Sequence, residues 1–198
     1  MTSFLTILLC STGLSAMIVI SGQIFGFRDQ FQQVIGGWAL LLLFCFFPWF
    51  LKLPISDLIP FWFVFFFAGL AYGIHYKKKF DWRGVLFPPA LISTIIGLPF
   101  LLNKELLAYA HYATDMWAYI YMCDWLRFHG INEIPIVNCF PSQGSNWFLL
   151  NRMDRPLTFI LLGSVGSIFN ISTLHAYYVL PAAMFSTLAF QIYSYISK

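Results

Sequence analysis

Charge is what this sequence has least of: 10% of its 198 residues are Asp, Glu, Lys or Arg, against 60% hydrophobic and 20% aromatic. Together with a mean hydropathy of +0.75, that scarcity excludes an ordinary water-soluble domain, in which about a quarter of residues are charged. A net charge of +3 without a clustered basic face also excludes nucleic acid as the partner. Cysteine is sparse, and Cys10, Cys45, Cys123 and Cys139 have no metal-ligand spacing. No basic stretch precedes the first apolar run, whose first flanking charges are Arg28 and Asp29, so the run reads as a mature helix and not as a secretory signal. Strict two-residue alternation is absent, which argues against a transmembrane barrel. No Ser/His/Asp order, glycine-rich phosphate loop or haem-ligating helix pair can be picked out.

What is present is a set of long apolar runs. Every charged residue falls outside six of them, at about 4–25, 34–51, 58–75, 85–103, 156–173 and 175–196. That is the distribution expected when an ionised side chain in hydrocarbon costs several kcal/mol. At roughly 20 residues per crossing, the sequence predicts an all-α, polytopic membrane helix bundle. It forms a single transmembrane domain over 1–198, with about six transmembrane helices and one long external loop, 104–155. Pro99 and Pro181 predict kinks in the fourth and sixth spans. The cationic run Lys77-Lys78-Lys79 with Arg83 marks a cytoplasmic connection. Both termini and the loop 104–155 are then expected on the non-cytoplasmic face, with the 26–33 and 170–175 turns inside. The Asn170-Ile171-Ser172 glycan pattern is discounted on that ground. Membrane lipids are the first implied partner.

The loop holds most of the polar side chains that lie outside the spans, so it is the functional candidate. Thr114 and Asp115 suit the start of a helix reaching about Arg127, because a hydroxyl can cap free N–H groups and a carboxylate favours the positive end of the dipole. Trp117, Ala118, Tyr121, Met122, Trp125 and Leu126 recur at helical spacing and predict an apolar stripe. A helix with Trp and Tyr on that stripe is expected in the interfacial plane, where lipid head groups are presented. Gly130 is its expected stop.

Asp115 and Asp124 are nine residues apart, which at about 100° per residue puts them on opposite helix faces. Asp115 is the candidate for chemistry. His111, four residues earlier, has a spacing compatible with sharing a divalent metal ion. Asp124 and Arg127 fit a surface pair one turn apart. Arg152 and Arg155 bring two guanidinium groups to the start of the fifth span, suited either to bidentate phosphate capture or to anchoring at the interface. Cys123 and Cys139 can pair in an oxidising compartment or stand as free thiols.

The order of these features resembles the N-terminal part of the multi-spanning membrane glycosyltransferases of the GT-C type. An apolar span, Val85 to Leu102, is followed by Thr114-Asp115-Met116-Trp117 and by a helix ending Trp125-Leu126-Arg127-Phe128-His129-Gly130-Ile131-Asn132-Glu133-Ile134-Pro135. Arg155-Pro156-Leu157 opens the next span, and Leu161 to Ser172 is similar to that family's small-residue hairpin. The match covers about 85–198. It implies a polyprenyl-phosphate sugar as donor, with Asp115 as general base or metal-positioning carboxylate. Arg152 or Arg155 would stabilise the departing phosphate, and Trp117 and Tyr121 would contact substrate. Members run longer, so the resemblance implies a module that works with further helices. The alternative expectation is a non-catalytic structural or assembly subunit bound to other membrane subunits of a larger complex.

Overall fold

A computed structural model describes residues 2–27, 29–76, 82–102, 114–133 and 156–196. Among them every regular element is helical: α1 (Thr2–Gly22), a 3-10 turn (Gln23–Phe25), α2 (Gln30–Leu51), α3 (Ile55–His75), α4 (Trp82–Leu102), α5 (Thr114–Phe128), α6 (Pro156–Ile168) and α7 (Thr173–Ile196). Three of these, Ser3–Phe25, Gln30–Leu51 and Ile55–His75, are long and apolar enough to cross a membrane.

Local chemistry explains the turns. Gly26, at φ 71°, ends the 3-10 turn and returns its N–H to Gln23 O at 2.9 Å. Asp29 then caps α2 by accepting from the Phe31 N–H at 3.1 Å. The helices pack through small residues. A Cβ added at Gly37 would overlap the Ile18 carbonyl oxygen, one at Gly22 the Gln33 carbonyl, and one at Gly69 the Ile20 carbonyl. Antiparallel α1 and α2 are therefore in backbone contact, and α3 joins them at the same end. Ser11 of α1 is hydrogen-bonded to Ser93 of α4, and the Trp38 indole N–H donates to Thr187 Oγ1 of α7 at 3.0 Å. Phe44 and the fully buried Trp62 meet with ring centroids 5.9 Å apart in the centre of the core.

The last pair of helices differs in arrangement from what the apolar runs suggested. The fifth and sixth runs pass as membrane-spanning only together: Leu157–Ile168 and Thr173–Tyr193 are bent by 101° at a short break, the geometry of a broken span or a re-entrant loop. The described stretch of α6, 13 residues, is roughly 20 Å long, against a hydrocarbon core of about 30 Å. The turn after it lies at the N-terminal end of α1, since His175 Nε2 is 3.3 Å from Ser3 Oγ. It is therefore opposite the 26–29 turn with which it was expected to share a face. α7 runs in the same direction as α1, with His175 beside Ser3 and Phe190 packed with Val19. Thr2 and Ile196 thus lie at opposite ends of the bundle, not together. The helix over 85–103 exists as α4, and its described apolar stretch, Leu86–Pro99, is shorter than a crossing. α4 and α7 continue through Pro99 and Pro181.

Candidate functional site

The candidate site is built on α5 and on what holds it. Met122, Cys123 and Leu126 are 0–3% exposed and face α6 and the core, while Tyr121 and Phe128 point outward at 40% and 63%. The expected stripe is thus rotated: its buried centre is Met122–Cys123–Leu126, Trp125 is half-buried at the edge, and Tyr121 lies outside. Close approach to α6 depends on Gly163, where a Cβ would meet Ile55 Cδ1 at 2.7 Å and the Cys123 carbonyl at 3.2 Å.

Arg127 is the junction's central group. It was expected at the surface, yet its side chain is 9% exposed. Its Nε donates to Ser167 Oγ at 3.3 Å, Nη2 to the Gly166 carbonyl at 3.2 Å, and Nη1 to the Ile171 carbonyl at 2.9 Å and to Asp124 Oδ1 at 3.3 Å. The guanidinium thereby adds a second donor to the Gly166 carbonyl, which already accepts from the Ile171 N–H, and pairs the Ile171 carbonyl in the turn beyond α6; its charge faces the negative end of the α6 dipole. Asp124 accepts from Thr173 Oγ1 at the first residue of α7. There its negative charge complements the opposite dipole end. One ion pair therefore fastens α5 to both sides of the α6–α7 break. The Asp124–Arg127 spacing was legible in the sequence. The signal missed was the small-residue run Gly163-Ser164-Val165-Gly166-Ser167, which leaves backbone open to a long donor.

At the far end of α5 the chain turns at Gly130, which packs against the Lys52 carbonyl so closely that a Cβ would overlap it. Glu133 Oε1 accepts from the Gly130 N–H at 2.9 Å, and Oε2 is 2.8 Å from His129 Nδ1. These contacts, the Gly130 N–H first, hold the Glu133 carboxyl below the ordinary carboxylate range. The indole of Trp125 stacks on the His129 imidazole with centroids 3.6 Å apart and planes 9° from parallel.

Asp115 lies in the first turn of α5 and Trp117 in the same stretch, two backbone positions apart. His111, Arg152 and Arg155 lie outside the described residues, and with them the His111–Asp115 metal pair and the phosphate-binding arginines. Among the described residues no group of three His, Cys, Asp or Glu side chains is placed to hold a metal. Cys123 is a free, fully buried thiol, pushed up from its ordinary pKa chiefly by that burial. Cys139 lies outside the described residues. No protein-family model, curated protein or solved structure matches the chain.

Proposed function

We propose that this protein is a membrane-embedded glycosyltransferase-like module acting on a lipid-linked sugar, with α5 lying in the membrane interface as the platform of the site. The observation that carries the reading is the fastening of α5. A helix whose first turn contains Asp115 is held in one position by a buried, four-bonded Arg127. A carboxylate that must meet a reacting hydroxyl needs such a rigid support. In this reading Asp115 accepts the proton of the acceptor hydroxyl. Arg152 and Arg155 offset charge on the departing polyprenyl phosphate, and Trp117 and Tyr121 contact the substrate. His111 is the second protein ligand if a divalent ion assists. Further helices from a partner complete the site.

The test is sugar transfer by the purified chain, together with its co-purifying membrane proteins, from a radiolabelled polyprenyl-phosphate hexose. Asp115→Asn is expected to slow transfer by about a hundredfold or more while leaving the helical circular-dichroism spectrum unchanged; undiminished transfer overturns the role.

One observation favours a second reading, a structural subunit of a larger membrane complex. α3 turns Phe61, Val64, Phe67 and Ile74 outward, each at least 58% exposed, and buries much less of its apolar length than α1 or α2. A stoichiometric set of co-purified membrane subunits, crosslinked through positions 64 and 67, is the outcome that selects this reading.

A further inference from the structure

α5 belongs to an outer layer of the structure. The bundle is built on α1, with α2, α4 and α7 packed heavily against it, whereas α5 packs chiefly on α6 and less on α3 and α7. In apolar surroundings such a layer gains little from hydrophobicity, because lipid receives an apolar helix face about as well as a neighbouring helix does. Directed contacts then decide whether α5 stays seated, and those described above cluster in its last two turns and at Gly130.

Two helix ends meet α5 there. Lys52 closes α2 at φ 59°, and Asn170 follows the end of α6 at φ 50°; among the described residues no other non-glycine residue has a positive φ. Left-handed backbone after a helix usually falls to glycine. Asparagine tolerates it, but lysine bears its steric cost, and such conformations persist where the surroundings over-determine them. α5 touches both turns. Gly130 lies on the Lys52 carbonyl with no room for a Cβ. Arg127 donates to the Ile171 carbonyl, one residue past Asn170, and Asp124 accepts from the Thr173 hydroxyl beyond it. The two turns are also tied to each other's helices, since Ile55, three residues after Lys52, meets α6 at Gly163. Beneath this grip lies Cys123, a fully buried free thiol whose carbonyl faces Gly163. A second fully buried free thiol, Cys45, belongs to α2 inside the bundle.

We propose that α5 is a latched strap: Asp124, Arg127 and Gly130, gripping the left-handed turns after α2 and α6, keep it seated, and it lifts off α6 as a unit while the other helices stay folded. Seated, α5 is the rigid support that a role for Asp115 needs, and the latch sets how often it is seated. The latch stands whether or not Asp115 reacts.

The test is the rate at which Cys123 reacts with a small maleimide in the full chain in non-denaturing micelles, read by mass spectrometry of its peptide, with Cys45 as the internal control. Both thiols are expected to react slowly in the parent chain and fully in SDS. Arg127→Ala is expected to speed Cys123 by about tenfold or more, the effect of losing one or more good hydrogen bonds, and to leave Cys45 protected. Gly130→Ala drives a methyl group into the Lys52 carbonyl, and Lys52→Val puts a β-branched residue where φ is positive. Each is expected to speed Cys123 several-fold, although Gly130 is seven positions from it on the chain and Lys52 is on another helix end. Lys52→Gly, at ease in that conformation, is expected not to speed it. If Arg127→Ala fails to fold, Arg127→Lys, which keeps the charge and loses the fork, serves the same comparison. Cys123 and Cys45 gaining reactivity together would mean that α5 leaves only when the bundle unfolds, and overturns the strap. Unchanged Cys123 labelling in the Arg127 variants and in Gly130→Ala also overturns it, since apolar packing alone would then hold α5.

Discussion

Where α1 crosses α2 and α3, polar backbone is buried by removing side chains; where α5 meets α6 and α7, it is buried by adding the longest charged one. At the first crossing Gly22, Gly37 and Gly69 let carbonyl oxygens of neighbouring helices approach where a methyl group would collide. Those carbonyls already serve their own helices, so close contact needs no new donor. At the second junction α6 ends at Ile168 and α7 begins at Thr173, and the ends of two helices leave groups unpaired. The turn's own N–H groups pair the last α6 carbonyls, and Arg127 and Asp124 add charged contacts on either side of the break, to Gly166 and Ile171 carbonyls and to the Thr173 hydroxyl. Continuous helices in apolar surroundings need room; a broken one needs partners.

The difference can be broken at its strongest point first. Arg127→Ala removes four hydrogen bonds and leaves Asp124 without its cation. It is expected to lower stability by about 3 kcal/mol, the low end of the range for breaking a buried pair because the Asp124 side chain is 43% exposed, measured as unfolding in mixed micelles. Arg127→Lys is expected to recover only part of that loss, because one ammonium cannot reach Ser167, Gly166 and Ile171 together. Equal stability of Arg127→Lys and the parent chain would mean that charge alone, and not the forked geometry, holds α5.

Gly37→Ala is expected to cost about 1–3 kcal/mol as α1 and α2 are forced apart. Because Gly13 faces only the Phe169 ring at 3.2 Å, Gly13→Ala is expected to cost clearly less in the same assay. A comparable loss at both positions would show that lost glycine flexibility, not the carbonyl collision, sets the cost. Smaller still is the Ser11–Ser93 bond between α1 and α4: Ser93→Ala is expected to cost about 1 kcal/mol, read from the same unfolding curves.

The mildest effects are local. Glu133 is held below its ordinary pKa of 4.5, so the contacts at the end of α5 are complete above that pH and are lost as the pH falls through the lower folded value. Amide exchange at Gly130, corrected for its intrinsic pH dependence, is expected to lose protection across that acid range. In Glu133→Gln the protection should no longer vary there. Cys123 has no exposed surface, so it should resist a maleimide in the folded protein and react after denaturation in SDS, followed by mass spectrometry of its peptide.

The residues that were legible and those that were not differ in where their partners lie. Long apolar runs disclosed α1, α2 and α3 because hydrophobic length is a property of the segment itself. Asp29 was on view as a charge, but its capping role needed the observed turn. The apolar run over 156–173 read as a span because composition cannot show that α6 stops at Ile168 and bends by 101°. Asp124 and Arg127 read as a solvent-facing pair because their spacing suits one, whereas the carbonyls that Arg127 meets in the interior come from about forty residues later in the chain. The rotation of the α5 stripe has a similar cause. Trp, Tyr and Met score alike as apolar, and the neighbours Gly163 and Ile55 select Met122 and Cys123 for the tight contact.

Unaided, the order of residues determined that this chain is helical and apolar enough for several of its helices to cross a membrane, since hydropathy and the backbone's need for internal hydrogen bonds act within each segment. Only the tertiary structure decided that α6 and α7 form one bent unit, that the two ends of the chain lie apart, and that a charged Arg127 belongs in the interior. Those outcomes depend on which backbone groups meet which distant side chains, and that pairing exists only once the helices have come together.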